Sequence, residues 1–167
     1  MTEPSRYRYA DGPSTEVSVV VPAGPAAVWA LVSDINLPVR FSTELQRVEW
    51  TDGFDAPAVG ARFRGTNEHS AVGTWQGECT ITRFELEREF AWEVAGPDGP
   101  AARWGFTLEP VDGGTRITQH CSLGPGRSGL SPAIERMPDR EHDIIARRLG
   151  EHAANMQRNL DGLAALV

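Results

Sequence analysis

The feature that most constrains the fold of this chain is a long amphipathic stretch at residues 138–167. Pro138 followed by acidic residues predicts a helix start, because proline suits the first helical position and acidic side chains complement the positive end of the helix dipole. Beyond it, apolar residues and one histidine recur at steps of three and four, on one stripe of a helix about eight turns long: Ile145, Leu149, His152, Met156, Leu160 and Leu163. A single helix cannot bury its own stripe, so the preceding residues must cover it.

The other faces of this helix carry charges and small residues. Asp143, Arg147 and Glu151 follow one another at four-residue spacing, a ladder of alternating charge that is typical of an exposed helix surface. Gly150 lies in a small-residue stripe beside the apolar one. Because glycine inside a helix costs about 1 kcal/mol against alanine, Gly150 predicts close approach by another element.

The residues before residue 42 predict one strand and two short helices. Val17, Val19 and Val21 alternate with polar residues, which is the period of a strand with one buried face. The segment 22–25 then breaks the strand and opens a helix over about 26–33, and a second short helical piece follows around Pro38.

Residues 42–123 predict further strands separated by turn sequences. Alternating patterns indicate strands over 46–50, 61–69, 74–84, about 90–94, 104–108 and 115–123, with Gly-containing turns between several of them. Short connections between consecutive strands make the sheet antiparallel. A further helical turn is expected at Ser131-Pro132. The predicted fold class is therefore α+β, with a curved antiparallel sheet of about seven strands covered by the C-terminal helix.

The length of 167 residues predicts one domain over residues 15–167, preceded by a flexible tail over 1–14. The formal charge of −7 disfavours nucleic acid as a partner. No apolar run reaches the roughly 18 residues of a membrane span, and no apolar signal segment follows the first residues, so the expected location is the cytoplasm. Cys79 and Cys121 lie within apolar strand patterns and are interpreted as buried thiols. The oligomeric state is left open.

The alternation in the strands predicts an apolar wall on the inner face of the sheet: Phe63, Trp75, Ile81, Phe90, Trp92, Trp104, Phe106 and Ile117. Such a wall suits an aromatic or aliphatic ligand. The alternative is that these side chains fill the core completely. Gly65 and Gly77 favour a space, because they remove side chains from the inner rows.

Four polar residues are also predicted to face inward: Asn67, His69, Gln119 and His152. A ligand carbonyl or hydroxyl would satisfy their hydrogen bonds. The alternatives are that His152 is bonded to protein or water and that His69 is solvated at a rim. A slip of one residue in strand register would send Arg64, Glu68, Glu78 and His120 inward instead.

Sequence patterns of known catalytic sites mostly do not match. Residues 126–129 do not form a nucleophile elbow, and His142 and His152 are too far apart for a zinc helix. Nucleotide-binding glycine motifs do not occur, so neither a metal nor another cofactor is predicted. What remains is acid/base help to a bound molecule by His152 or His69, the two candidate catalytic residues. Whether the protein catalyses a reaction stays open.

The order of elements resembles the helix-grip superfamily, which includes START lipid-transfer domains, birch-pollen-allergen-like proteins and polyketide cyclase/dehydrases. The resemblance rests on the segments 22–35 (PAGPAAVWALVSDI), 60–65 (GARFRG) and 108–115 (LEPVDGGT), on the strand with Trp92, and on the final helix with Asn155-Met156. It spans about residues 15–166 and implies an internal cavity between sheet and helix, open to small apolar molecules. The polyketide cyclase/dehydrase branch is the nearest in pattern, but no catalytic motif carries over.

These observations predict a protein that binds a small hydrophobic molecule, aromatic, polyketide-like or lipid, in this cavity. One alternative is a polyketide aromatase or cyclase that uses the same cavity, and another is a protein-partner module with a filled core. The predicted ligand-binding residues are Phe63, Asn67, His69, Trp75, Phe90, Trp92, Trp104, Phe106, Gln119, His152 and Met156.

Overall fold

Seven strands form one antiparallel sheet in a computed structural model of the protein, which describes residues 6–167. The spatial order is β1-β7-β6-β5-β4-β3-β2, so the first and last strands pair and the others follow as a meander. The strands are β1 Ser14–Val21, β2 Leu45–Trp50, β3 Arg62–His69, β4 Gly73–Glu85, β5 Glu89–Gly96, β6 Gly99–Val111 and β7 Gly114–Leu123.

The helices lie where the sequence pattern indicates them. The elements are α1 Pro25–Val32, a 3-10 helix Leu37–Arg40, α2 Ser131–Arg136, a 3-10 helix Pro138–Arg140 and α3 Glu141–Ala164. Pro138 begins a 3-10 turn, a common form of helix entry, so the α-helix itself starts three residues later than predicted. With a curled sheet, two short helices after β1 and a long final helix, the predicted fold class is confirmed. No helix between residues 6 and 167 combines the length and apolarity that crossing a membrane requires.

The strand register is the one that the alternation predicts. In β7, Ile117, Gln119 and Cys121 are almost fully buried, whereas the residues between them are not. Arg64 and Glu78 form an ion pair away from the buried rows, and the ring of His120 covers Gly105 on the outer face of the sheet. The one-residue slip does not occur, because it would place these polar groups in an apolar core.

The core consists of two apolar clusters. The larger one joins α1, the inner rows of the sheet and the C-terminal part of α3, and the smaller one joins β7, α2 and the N-terminal part of α3. Cys79 belongs to the first cluster and Cys121 to the second, and both thiols are free and buried, as predicted. Burial raises the pKa of the Cys79 thiol to about 12 and also raises that of Cys121.

The glycine contacts along α3 differ from the prediction. A Cβ at Gly150 would meet no atom within 4 Å, so the interpretation of Gly150 as a close-approach site is wrong. The close contact lies three turns further on, where a Cβ at Gly162 would overlap ring atoms of Phe41. The chain leading from α1 to β2 therefore packs against the end of α3 at Gly162.

Alanine substitutions at these two glycines are expected to have opposite effects. Gly150→Ala should raise the free energy of unfolding by about 0.5–1 kcal/mol, because it improves helix propensity without any new contact. Gly162→Ala should lower it by about 1–3 kcal/mol, because the added methyl group displaces the Phe41 ring from a packed site. Urea denaturation of both variants measures the difference, and equal shifts of the same sign would contradict the packing at Gly162.

The N-terminal segment that the sequence indicates as a flexible tail has contacts with the domain. The Tyr7 N–H donates to His142 Nδ1 at 2.9 Å, and the two rings stack with centroids 5.2 Å apart. The Tyr9 hydroxyl donates to the Gly126 carbonyl at 2.6 Å, and residues 9–11 form a 3-10 turn. Residues 1–5 of the predicted tail lie outside the described residues.

Candidate functional site

The inner face of the sheet has a sealed part and a partly open part. Apolar residues of the sealed part are at most 5% exposed: Phe63, Ile81, Phe90, Phe106 and Ile117. Other inward residues of β4, β5 and β6 stay partly accessible: Trp75, Gly77, Trp92, Val94 and Trp104. The backbone of helix α3 lies closest to β1, and the helix reaches β4 and β6 through side chains, with Arg148 at Trp75 and His152 at Trp104.

Trp92 joins the two parts of the wall. Its ring centroid lies 5.2 Å from that of Phe90, 6.1 Å from Phe63 and 6.2 Å from Phe106. Aromatic rings at these separations pack favourably beyond the area that they bury. The half-buried indole therefore has a rigid aromatic base on one side.

The two glycines of the inner rows leave less room than the sequence suggests. A Cβ at Gly65 would lie 3.2 Å from Leu45 Cδ1, and one at Gly77 would lie 3.1 Å from Val94 Cγ1. Side chains of neighbouring strands therefore already lie over both glycines. The partly open region is defined by the half-buried tryptophans and not by missing side chains.

His152 projects from α3 toward this region. It is 8% exposed, and its ring meets that of Trp104 edge-on at a centroid distance of 4.8 Å. Burial, with a smaller effect of the Arg148 charge, lowers the pKa of His152 to about 3, so the imidazole is neutral at physiological pH. Its ring nitrogens make no hydrogen bond with any residue in the described range 6–167.

A second polar group lies deeper on the same side of α3. Asn159 Nδ2 donates to Gln119 Oε1 at 3.2 Å, and the two residues are 4% and 2% exposed. Asn159 Oδ1 is enclosed and has no hydrogen-bond partner within residues 6–167. Such a group is costly in a folded protein and requires an explanation.

A set of polar residues, here called the rim cluster, connects α3 to the β2 and β3 side of the sheet. It consists of Glu44, His69, Arg148, Glu151 and Asn155. Arg148 binds Glu44 through both terminal nitrogens at 2.8 and 3.0 Å and reaches Glu151 at 3.4 Å. Asn155 Oδ1 accepts from the Thr43 N–H and hydroxyl at 3.0 and 2.9 Å, and its Nδ2 donates to Glu44 at 3.2 Å.

Each charged group of the rim cluster has a partner within the cluster. Burial opposes the charge on Arg148, but its hydrogen bonds and charge interactions with Glu44 and Glu151 together outweigh that effect, and the pKa of Arg148 lies above its ordinary value. Burial likewise opposes the charge on Glu151, yet the His69 hydrogen bond and Arg148 hold the pKa of Glu151 below its ordinary value. The guanidinium also lies 6.0 Å from the ring centroid of Trp75, at the edge of the open part of the wall.

His69 is held by both of its ring nitrogens. Nδ1 accepts from the Ala71 N–H at 3.0 Å, so the proton resides on Nε2, which donates to Glu151 at 2.5 Å. His69 therefore lies at the rim, which is one of the two positions that the sequence suggests. It is bound to Glu151 and not simply solvated.

The rim cluster borders a groove of about 380 Å³. The groove is lined by Thr43, Glu44, Glu68, His69, Ser70, Glu151, Ala154, Asn155 and Arg158. A second hollow of about 360 Å³ lies against the outer face of the sheet around His120 and Arg103. None of the wall residues lines the groove, which adjoins Arg148 through its partners Glu44 and Glu151, whereas the lining of the second hollow includes Trp92.

Three residues of the rim cluster bring possible metal ligands together. One ligand atom from each of Glu44, His69 and Glu151 lies within 4.8 Å of the others. Two features make the set a poor metal site. Both oxygens of Glu44 are bound by the Arg148 guanidinium, and metal binding at His69 Nε2 would place a proton on Nδ1, where the Ala71 N–H already donates. The contacts of Glu44, His69 and Glu151 are therefore those of an ion-pair network and not of a metal site.

The predicted ligand-binding residues separate into two groups. Half-buried residues are Asn67, His69, Trp75, Trp92 and Trp104. Fully buried residues are Phe63, Phe90, Phe106, Gln119, His152 and Met156. Met156 packs in the smaller apolar cluster, against Cys121 and Leu149 among others. The partly accessible wall therefore consists of the three tryptophans, with the buried side chains of His152 and Gln119 next to Trp104.

Sequence reasoning missed four polar residues of this region: Glu44, Arg148, Asn155 and Asn159. Three of them extend a stripe on α3, residues 148, 152, 155 and 159, whose spacing of four, three and four places them on one side of the helix. That spacing was the available signal. The predicted exposed ladder is wrong at Glu151, which is half-buried and bound to His69, because the β3 and β4 hairpin reaches this side of α3.

Solved structures show the same architecture in other proteins. The Polyketide_cyc-like protein Cgl2372 from Corynebacterium glutamicum is 26% identical, with a TM-score of 0.61 over 92% of this chain and 90% of that chain. TTHA0849 from Thermus thermophilus is 16% identical, with a TM-score of 0.60 over 92% and 95% of the two chains. Ara h 8.0201 is 17% identical, with a TM-score of 0.53 over 89% and 98%. The last two likenesses concern the fold alone.

A comparison with curated proteins found no significant match. The family model described as polyketide cyclase / dehydrase and lipid transport matches residues 13–167, which is nearly the whole chain. The predicted resemblance is thus confirmed by an independent pattern and by the shared fold. The chain belongs to the polyketide cyclase / dehydrase and lipid transport family, within the helix-grip superfamily.

Proposed function

We propose that the protein binds a small neutral aromatic molecule on the inner face of its sheet, between α3 and strands β4 to β6. The observation that carries this proposal is the row of inward tryptophans, Trp75, Trp92 and Trp104, which are only half-buried. Half-buried aromatic residues on a concave face are the usual lining of small-molecule sites. Membership of a family whose description includes lipid transport supports a hydrophobic ligand.

The charges around the site favour a neutral ligand. The guanidinium of Arg148 lies 6.0 Å from the ring centroid of Trp75, and it is bound by Glu44 and Glu151. An anionic ligand would have to compete with these two carboxylates for the guanidinium. A neutral ring system gains contact area on the tryptophans without disturbing the ion pairs.

The enzymatic alternative has less support from the two candidate histidines. His69 uses one nitrogen toward Ala71 and the other toward Glu151, so neither is free to accept a substrate proton. His152 is only 8% exposed, and an imidazole with a pKa of about 3 is a weak base at neutral pH. Binding without turnover is therefore the function that the geometry favours.

Tryptophan fluorescence tests the proposal directly. Titration with 2-acetylnaphthalene should give a saturable change in emission, because the ligand would contact Trp75 and Trp104. We expect Trp104→Phe to remove a large part of the change and Trp29→Phe to keep it, since Trp29 packs against Phe84 in the sealed part.

Dodecanoic acid serves as a second probe in the same titration. Tighter binding of the fatty acid than of the aromatic probe would replace the aromatic ligand with a lipid. No saturable change with either probe would contradict ligand binding on this face and favour the alternative of a filled core with a functional outer surface.

A further inference from the structure

Two buried side chains on the inner face have nitrogen atoms without a hydrogen-bond partner. Within residues 6–167, Gln119 Nε2 and the ring nitrogens of His152 bond to no protein group. The fully enclosed unpartnered side-chain atoms in that range are Thr51 Oγ1 and Asn159 Oδ1. The nitrogens of Gln119 and His152 are not among these enclosed atoms, so they keep some accessible surface although both residues are more than nine-tenths buried.

Asn159 fixes the orientation of the Gln119 amide. Its Nδ2 donates to Gln119 Oε1 at 3.2 Å, which leaves the Nε2 of Gln119 as the free end. This end is only a donor. Asn159 Oδ1 has no partner within residues 6–167 in this arrangement.

Trp104 lies next to both groups. It pairs with Cys121 in the sheet, and Gln119 is two residues before Cys121 on the same inward row, so Trp104 and Gln119 are diagonal neighbours. The His152 ring meets Trp104 edge-on at 4.8 Å. A ring stacked on the open side of Trp104 would thus have hydrogen-bonding groups from β7 and from α3 beside it.

We infer that Gln119 and His152 form a recognition site for an uncharged acceptor oxygen, such as a carbonyl, on the aromatic ligand. This inference rests on the proposed function and specifies its ligand. The donor Gln119 Nε2 matches a carbonyl oxygen, and the neutral imidazole supplies a second N–H in one of its tautomers. A carboxylate does not fit, because the unpartnered groups are uncharged and Arg148 is bound by Glu44 and Glu151.

Two probes of the same shape separate this inference from simple hydrophobic binding. 2-Acetylnaphthalene and 2-isopropenylnaphthalene differ only in C=O against C=CH₂. Isothermal titration calorimetry of the full-length protein should show about tenfold tighter binding of the acetyl compound, the effect of one buried hydrogen bond. The carbonyl stretching band of the bound probe should also move to lower frequency.

Substitutions assign the effect to the two residues. Gln119→Leu keeps the volume and removes the donor, so the affinity ratio of the two probes should fall to about one while the isopropenyl compound still binds. His152→Leu should reduce the ratio in part. Asn159→Leu removes the hydrogen bond that orients the Gln119 amide, so it should also lower the affinity ratio. His120→Gln, on the outer face directly after Gln119, is the matched control and should leave the ratio unchanged.

The outcomes test the recognition site and the proposed function separately. Equal affinity of wild type for both probes, with no shift of the carbonyl band, overturns the recognition site and leaves the proposed function intact. Binding of neither probe overturns both. A ratio that changes in His120→Gln and not in Gln119→Leu moves the site to the outer face of the sheet. The wild-type ratio and the infrared band decide the inference even where Gln119→Leu does not fold.

Discussion

Replacing Arg148 with methionine is expected to lower the free energy of unfolding by about 3 kcal/mol, the range for removing one partner of a buried ion pair. The Arg148 and Glu44 side chains are only 17% and 11% exposed, so the substitution leaves a carboxylate in a poorly hydrated site. Glu151 loses a partner as well. Urea denaturation at neutral pH measures the loss.

The double variant Arg148→Met with Glu44→Gln is the informative control. It removes the orphaned charge and should recover a large part of the lost stability, because the cost comes mainly from the unpaired carboxylate. Arg116→Met, in the exposed pair with Glu109, should change the free energy of unfolding by less than about 1 kcal/mol. A loss of similar size at Arg116 and at Arg148 would contradict the special status of the rim cluster.

Stability is expected to fall as the pH is lowered from 7 to 5, and His152 is expected to cause much of the loss. Its pKa is about 3 in the folded protein against an ordinary value of 6.5, with burial as the main cause. Below pH 6.5 the imidazole is protonated in the unfolded chain, whereas in the folded protein it binds a proton only below about pH 3. Between pH 6.5 and pH 5 the free energy of unfolding therefore falls by about 2 kcal/mol, at 1.36 kcal/mol for each pH unit.

His152→Leu should flatten this dependence, whatever its effect on stability at pH 7. Burial also lowers the pKa of His120, so protonation of His120 adds to the loss of stability at low pH. The free energy of unfolding of wild type, His152→Leu and His120→Gln at pH 7, 6 and 5 separates the two. An unchanged slope in His152→Leu would mean that the imidazole is already hydrated in the folded state.

The two predictions concern neighbouring residues on the same side of α3. The ion pairs of Arg148 hold α3 to the chain before β2, whereas His152 lies one turn further along α3 on the wall itself. If both results are as expected, the ion pairs of Arg148 stabilise the rim cluster, and His152 beside Trp104 is uncharged in the folded protein.

Local pattern by itself determined the sheet, the helices and which residues face inward. The period of two in β7 places Ile117, Gln119 and Cys121 on one face, and the steps of three and four in α3 select its buried stripe. Both periodicities follow from backbone geometry within a segment, so they can be read without knowing any partner. The turns between strands fixed the antiparallel order in the same way.

The tertiary structure alone decided which inward groups meet and how far α3 covers the wall. Arg148 and Glu44 are 104 residues apart in sequence, and His69 and Glu151 are 82 apart. Sequence spacing cannot predict such pairs, because they depend on where the helix crosses the curled sheet. In the folded protein α3 lies closest to β1, Met156 is sealed in the smaller core cluster, Glu151 is bound to His69, and Trp75 and Trp104 remain half-buried.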